Sequence, residues 1–237
     1  MNVPASADPQ GRQTRARVRT LFARYACGRN MRMTMWDALQ QLRLIESECP
    51  TRGLALAQSF QENGHHDDDG WAALALIHNL GKIMFLFGCD ADGTSAEAPW
   101  AVLGDTYVTA DQPSVASSDS PDEERDWTSG VGLANVTCSF GRNEYLYQAL
   151  KRNYTKHKLP LECVNIARVQ SLHAWYAGDA YANLEDDRDR ALKPKVQEFC
   201  AARDRCEKIS SECHPSWDDP KWRDLVERMF GTEPWDF

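Results

Sequence analysis

The strongest constraint on this chain is the spacing of its apolar residues, which recur every three or four positions and nowhere alternate at two. Val18, Leu21, Phe22 and Tyr25 fall at i, i+3, i+4 and i+7, so residues 13–25 read as an amphipathic helix with arginines on the opposite face. Met35, Trp36, Ala38, Leu39, Leu42 and Ile45 form a stronger stripe behind Thr34, which with Asp37 three residues on marks a helix cap. Helical patterns return over 54–62, 143–152, 161–167, 195–210 and 221–230. Residues 71–87 are apolar nearly all round, which predicts one long helix buried at the centre. No stretch carries a sustained strand pattern, and the predicted class is all-α.

With 237 residues the chain is long enough to bury most of its apolar surface. The pattern predicts a short N-terminal extension, 1–12, and one helical domain, 13–237, interrupted by two loops. Residues 88–98 are small and expected to be exposed, and 110–130 are rich in Ser, Asp and Pro. The longest apolar run, Ile83–Phe87, is far below the roughly 20 residues of a membrane-spanning helix. A net charge of -8 argues against nucleic acid, whose phosphates call for clustered Lys and Arg. Seven arginines and one acid in residues 1–32 resemble an organellar transit peptide, or else a basic first helix. The eight cysteines are scattered and read as reduced thiols, which points to the cytoplasm or mitochondrial matrix rather than secretion. Cys200, Cys206, Cys213 and His214 are spaced too widely along a helix to converge on zinc, and His65 and His66 in an acidic loop read as solvated. His157 and His214, in polar stretches, are expected to be exposed, and His173 to be structural. Eight tryptophans could anchor a partner surface.

His78-Asn79-Leu80-Gly81-Lys82 resembles the helix-borne His-Asp pair of HD-domain proteins. Pro99-Trp100-Ala101-Val102-Leu103-Gly104-Asp105-Thr106-Tyr107 resembles the PQWAVVGDTF signature of myo-inositol oxygenases. Gly132-Leu133-Ala134-Asn135-Val136 and Gly141-Arg142-Asn143-Glu144-Tyr145-Leu146-Tyr147-Gln148 are similar to that family's GLDNV and GHDEYLYQ segments, in the same order. Arg168-Val169-Gln170-Ser171-Leu172-His173-Ala174-Trp175 follows RFHSFYPW, and Glu198-Phe199 with Asp204 and Lys208 follows EFNKFDLYTK. The resemblance runs from about Gln13 to the end and implies a single HD-domain-like helical bundle.

Members of that family use two irons to cleave the inositol ring to glucuronate, which calls for imidazole and carboxylate donors. Residue by residue, the resemblance leaves few of them. No histidine precedes His65, so the first ligand is missing. His78 keeps the second, Asn79 replaces the bridging aspartate, and Arg142 and Gln170 replace two histidines. Asp204 keeps the last. The expected consequences are loss of the di-iron cofactor, no metal, an Arg142–Asp204 ion pair in the emptied site, and a catalytically inactive pseudoenzyme. Such a chain would serve as an accessory subunit bound to protein partners. The substrate-side residues implied by the resemblance, Lys82, Gly104, Asp105, Ser171 and Lys208, are of the family's type, so binding of a polyol or inositol phosphate is an alternative. An active inositol oxygenase with unusual metal ligands is another.

Overall fold

The computed structural model describes residues 13–45, 48–62, 68–109, 127–206 and 215–237. His65, His66, Lys208, Cys213, His214, the extension 1–12 and most of the 110–130 loop lie outside them.

Ten α-helices and two very short strands follow in chain order among the described residues. Helix α1 (Arg15–Tyr25) is capped by Thr14, whose side chain accepts from the Arg17 amide at 3.2 Å, and buries Val18, Leu21 and Tyr25. Strand β1 is Arg32–Met33. Helix α2 (Met35–Ile45) starts where Thr34 accepts the Asp37 amide at 3.0 Å, the cap read from the sequence, and buries Met35, Ala38, Leu39 and Leu42. Helices α3 (Glu48–Glu62) and α4 (Asp68–Ile77) pack closely. They can do so because Gly53 carries no side chain: a Cβ there would lie 3.0 Å from the Ala75 carbonyl. Around this pair Phe60, Trp71 and Phe199 bring their rings within 6.1 Å of one another.

The expected single helix over 71–87 is broken. Helix α4 stops at Ile77, and a 3-10 helix occupies Leu80–Leu86. The His78 carbonyl accepts from the Gln170 side chain at 2.9 Å, while the Lys82 amide turns to the Asn79 carbonyl at 3.0 Å. Gly81 then meets the Arg142 carbonyl so closely that a Cβ would collide with it. The break thus follows from a tertiary partner rather than from local propensity.

The 88–98 loop also departs from expectation. Asp92, Thr94 and Ser95 are buried, because Asp92 accepts from Arg17 at 2.9 Å, from Arg24 and from the Tyr25 hydroxyl at 2.8 Å. The basic face of α1 is therefore spent on an internal carboxylate.

Short helix α5 (Trp100–Leu103) leads through residues 127–141 to α6 (Arg142–Arg152), α7 (Leu161–Val169) and α8 (His173–Tyr176). A buried ion pair ties α6 to α7, with Arg168 Nε donating to Glu144 at 2.7 Å. Helix α9 (Asp187–Cys206) begins eight residues before the expected start, with Asp186 accepting the Arg188 and Asp189 amides and Pro194 inside the helix at its third turn. Helix α10 (Pro220–Phe230) is capped by Asp219. Strand β2 (Trp235–Asp236) then returns antiparallel to β1 and joins the two ends of the described chain. Five of the eight tryptophans are buried, and Trp36, Trp100 and Trp127 are half-buried.

His157 is not the exposed residue the polar stretch predicted. Its ring stacks on Trp235 at 5.8 Å, Nε2 donates to the Leu150 carbonyl at 3.2 Å and Nδ1 accepts the Leu159 amide at 3.2 Å. Burial lowers its pKa, against a smaller opposing effect of the Leu150 carbonyl. A folded-state pKa below the unfolded one means that this contribution to stability is complete above about pH 6.5 and is lost as pH falls from there through the folded value. The melting temperature is expected to drop between pH 7 and pH 5, and to drop less in His157→Gln. Equal drops in the two proteins would rule out this role.

No helix among the described residues is long and apolar enough to cross a membrane.

Candidate functional site

The centre forms where α4 breaks. His78, 4% exposed, donates from Nδ1 to the Ala75 carbonyl at 2.6 Å, and its Nε2 accepts the Asn79 amide at 2.7 Å. These two bonds define a neutral imidazole with the proton on Nδ1. Its pKa is lowered to about 3, first by burial and then by the positive charges of Arg203, Lys82 and Arg142. Phe199 closes the other side of the ring, edge-on at 6.0 Å.

Gln170 ends α7. Its side-chain amide donates to the His78 carbonyl and, more weakly, to Ala167 at 3.4 Å, so it works as a strut between α7 and the break in α4. Its own carbonyl receives the Arg203 guanidinium and the Cys200 thiol, each at 3.4 Å. Arg142, the first residue of α6, donates to the Val102 carbonyl at 3.0 Å and to the Ser171 hydroxyl at 3.2 Å. The two guanidiniums are thus tethered to consecutive residues, 170 and 171. Lys82 is buried on the 3-10 helix that touches the Arg142 backbone. Gly104 caps α5, where a Cβ would press to 2.7 Å from the Trp100 carbonyl. Asp105 follows it with an exposed side chain, its carbonyl accepting from Ser139 at 3.4 Å. The Ser171 carbonyl accepts the Thr106 amide at 3.2 Å, which draws this segment to the centre. His173 bonds the Tyr176 hydroxyl, a local structural role.

Two expectations fail here. Arg142 does not pair with Asp204, which is 58% exposed and bonds its neighbour Arg203 at 3.0 Å. The residue of α9 that faces the centre is Arg203. Counted from Glu198-Phe199, the sixth position of the EFNKFDLYTK-like segment is Arg203 and not Asp204. One step along a helix rotates a side chain by about 100°, which is the difference between facing His78 and facing water. The signal lay in the sequence: Arg203 stands three and four positions after the apolar Cys200 and Phe199, on their face.

The residues do not fit two irons. Among the described residues no three His, Cys, Asp or Glu side chains gather as metal ligands. The one imidazole nitrogen free of backbone bonding already accepts the Asn79 amide, and two guanidiniums and an ammonium bring positive charge to the same place.

Fold and site together define a helical protein with a polar, cation-rich centre at a broken helix. Its sequence says which class: a family model described as Myo-inositol oxygenase matches residues 7–233, and the chain belongs to the myo-inositol oxygenase family. An inositol oxygenase of Sus scrofa is 31% identical over 204 residues, covering 77% of this chain and 69% of the relative. That of Mus musculus is 35% identical over 150 residues, 57% of this chain and 49% of the relative. Inositol oxygenase 1 of Arabidopsis thaliana is 28% identical, over 73% of this chain and 60% of the relative. The chain thus spans about half to two thirds of the length of these relatives. The expectation of a pseudoenzyme is corrected by this finding: the family is one of enzymes, and replaced donors are not in themselves a sign of inactivity.

Proposed function

We propose that this chain acts on a cyclic polyol of the inositol class at the centre formed by His78, Lys82, Arg142 and Ser171, as an oxygenase of its family. One observation carries the reading. Arg142 bridges the Val102 carbonyl and the Ser171 hydroxyl while its backbone abuts Gly81, so that three of the segments bearing the family's substrate-side positions meet at one residue. Hydroxyl-rich ligands are held by such convergent donors and acceptors on rigid elements. Because the donor set does not match a di-iron cage, a metal serving oxygenation would be held by donors other than the family's six positions.

Titration calorimetry and oxygen uptake, run on protein supplied with ferrous iron, test this. Myo-inositol is expected to bind with a Kd of about 1 mM or below, to stimulate oxygen uptake, and to bind about tenfold more weakly in Ser171→Ala, the loss of roughly one neutral hydrogen bond. Binding without uptake would overturn the oxygenation, and no binding at tens of millimolar would overturn the polyol as well.

A further inference from the structure

We infer that a surface hollow between α2 and the approach to α10 is a second ligand site, taking a small carboxylate with an apolar or aromatic body. It lies apart from the centre and stands whether or not the polyol reading does. The hollow has a volume of about 430 Å³ and is lined by Gln40, Arg43 and Leu44 of α2, Thr51 of α3, and Trp217. That is the size of a site for a small organic molecule, and His78, Lys82, Arg142 and Ser171 take no part in it.

The floor is rigid and the rim apolar. Trp217 is buried, and Trp36 meets it edge-to-face with ring centres 5.7 Å apart. Leu44 leaves 81% of its surface in water, which the apolar body of a ligand would cover with a gain in free energy. Arg43 lies 5.6 Å from the centre of the Trp217 ring and donates to Gln40 Oε1 at 2.6 Å. It meets no carboxylate among the described residues, so a neutral oxygen and an aromatic ring are its partners. A planar guanidinium offers two parallel N–H groups, the match for a carboxylate. Gln40 is only half satisfied: Oε1 accepts from Arg43, while Nε2 is shut off from water with no acceptor, as is Trp217 Nε1. A carboxylate that replaces Oε1 on Arg43 lets the Gln40 amide turn and donate to its second oxygen, so that both groups are paired. A neutral molecule leaves Arg43 as it is, and a bare anion leaves Leu44 uncovered.

Calorimetry on the full chain with phenylacetate, 2-phenylethanol and acetate tests the site, together with the indole N–H resonance of Trp217, assigned through Trp217→Phe. Phenylacetate is expected to bind with a Kd of about 1 mM or below and to shift that resonance. The alcohol, which lacks the charge, and acetate, which lacks the ring, are expected to bind at least about tenfold more weakly. In Arg43→Gln the affinity for phenylacetate is expected to fall to that for 2-phenylethanol. Leu44→Glu, at a position open to water, is expected to leave the melting temperature unchanged and to abolish phenylacetate binding. Equal binding of phenylacetate and 2-phenylethanol, or phenylacetate binding that Arg43→Gln and Leu44→Glu leave unmoved, overturns the inference. Acetate binding as tightly as phenylacetate means an adventitious ion only, and also overturns it. Binding without a shift at Trp217 places the ligand elsewhere, and no binding at tens of millimolar removes the site; either result is equally fatal.

Discussion

Replacing Arg168 with alanine is expected to lower the unfolding free energy by about 3–5 kcal/mol. The guanidinium makes three buried contacts at once: Glu144 at 2.7 Å, the Leu133 carbonyl at 2.8 Å and the Val136 carbonyl at 2.9 Å. Its ring-facing side lies 5.0 Å from the centre of Tyr147. Removing it leaves a carboxylate at 2% side-chain exposure with no counterion, and an orphaned buried charge costs far more than a surface one. For a domain of this size the change corresponds to a melting temperature lower by about 10 °C. Chemical denaturation measures it. The double substitution Arg168→Met with Glu144→Leu should lose less than Arg168→Met alone, since the stranded carboxylate goes with it. If the double variant is the weaker of the two, the ion pair is not what holds α6 to α7.

Trp235→Ala is expected to cost a similar amount, about 3–5 kcal/mol, by emptying a large and fully enclosed volume. The indole is wholly buried among His157, Phe230 and Phe237, with ring centres 5.8, 5.9 and 6.2 Å away, and its N–H donates to the Phe230 carbonyl at 3.2 Å. It also anchors β2 against β1, where the Phe237 amide reaches the Met31 carbonyl at 2.9 Å and the Phe237 carbonyl receives Asn30 at 3.0 Å. Loss of the anchor should therefore show as faster hydrogen exchange at Phe237 ahead of any change in α6 or α7. Trp235→Phe should retain much of the stability. Unchanged exchange at Phe237 in the alanine variant would show that the tail is held by its backbone alone.

Much of the helical framework was legible because it depends on local physics. The apolar stripe of α1, the Thr34 cap of α2 and the Pro220 start of α10 act within one or two turns, and the structure has them close to where the spacing put them. The start of α9 was misread because Pro194 looks like a boundary. As the eighth residue of the helix it removes the one amide bond to the Arg190 carbonyl, while the Asp186 cap upstream secures the first turn. The short strand pair was invisible, since two residues show no period.

The centre divides in the same way. Sequence alone determined which groups are available: one imidazole, two guanidiniums, an ammonium, and amides where the family resemblance called for other donors. It also determined, through Phe199 and Cys200, that Arg203 rather than Asp204 turns inward, although that register was easy to misjudge by one. Only the tertiary structure decided that α4 breaks after Ile77, that Asn79 covers the His78 nitrogen, and that Asp92 folds inward to meet the arginines of α1. The first and the last depend on a partner outside the local turn, Gln170 and the Arg142 carbonyl at the broken helix and α1 at Asp92, and the contact between the neighbours His78 and Asn79 follows from the break. Hydrogen bonds and charges between residues far apart in the chain have no signature in periodicity, because their energy exists only once folding has brought the two groups together.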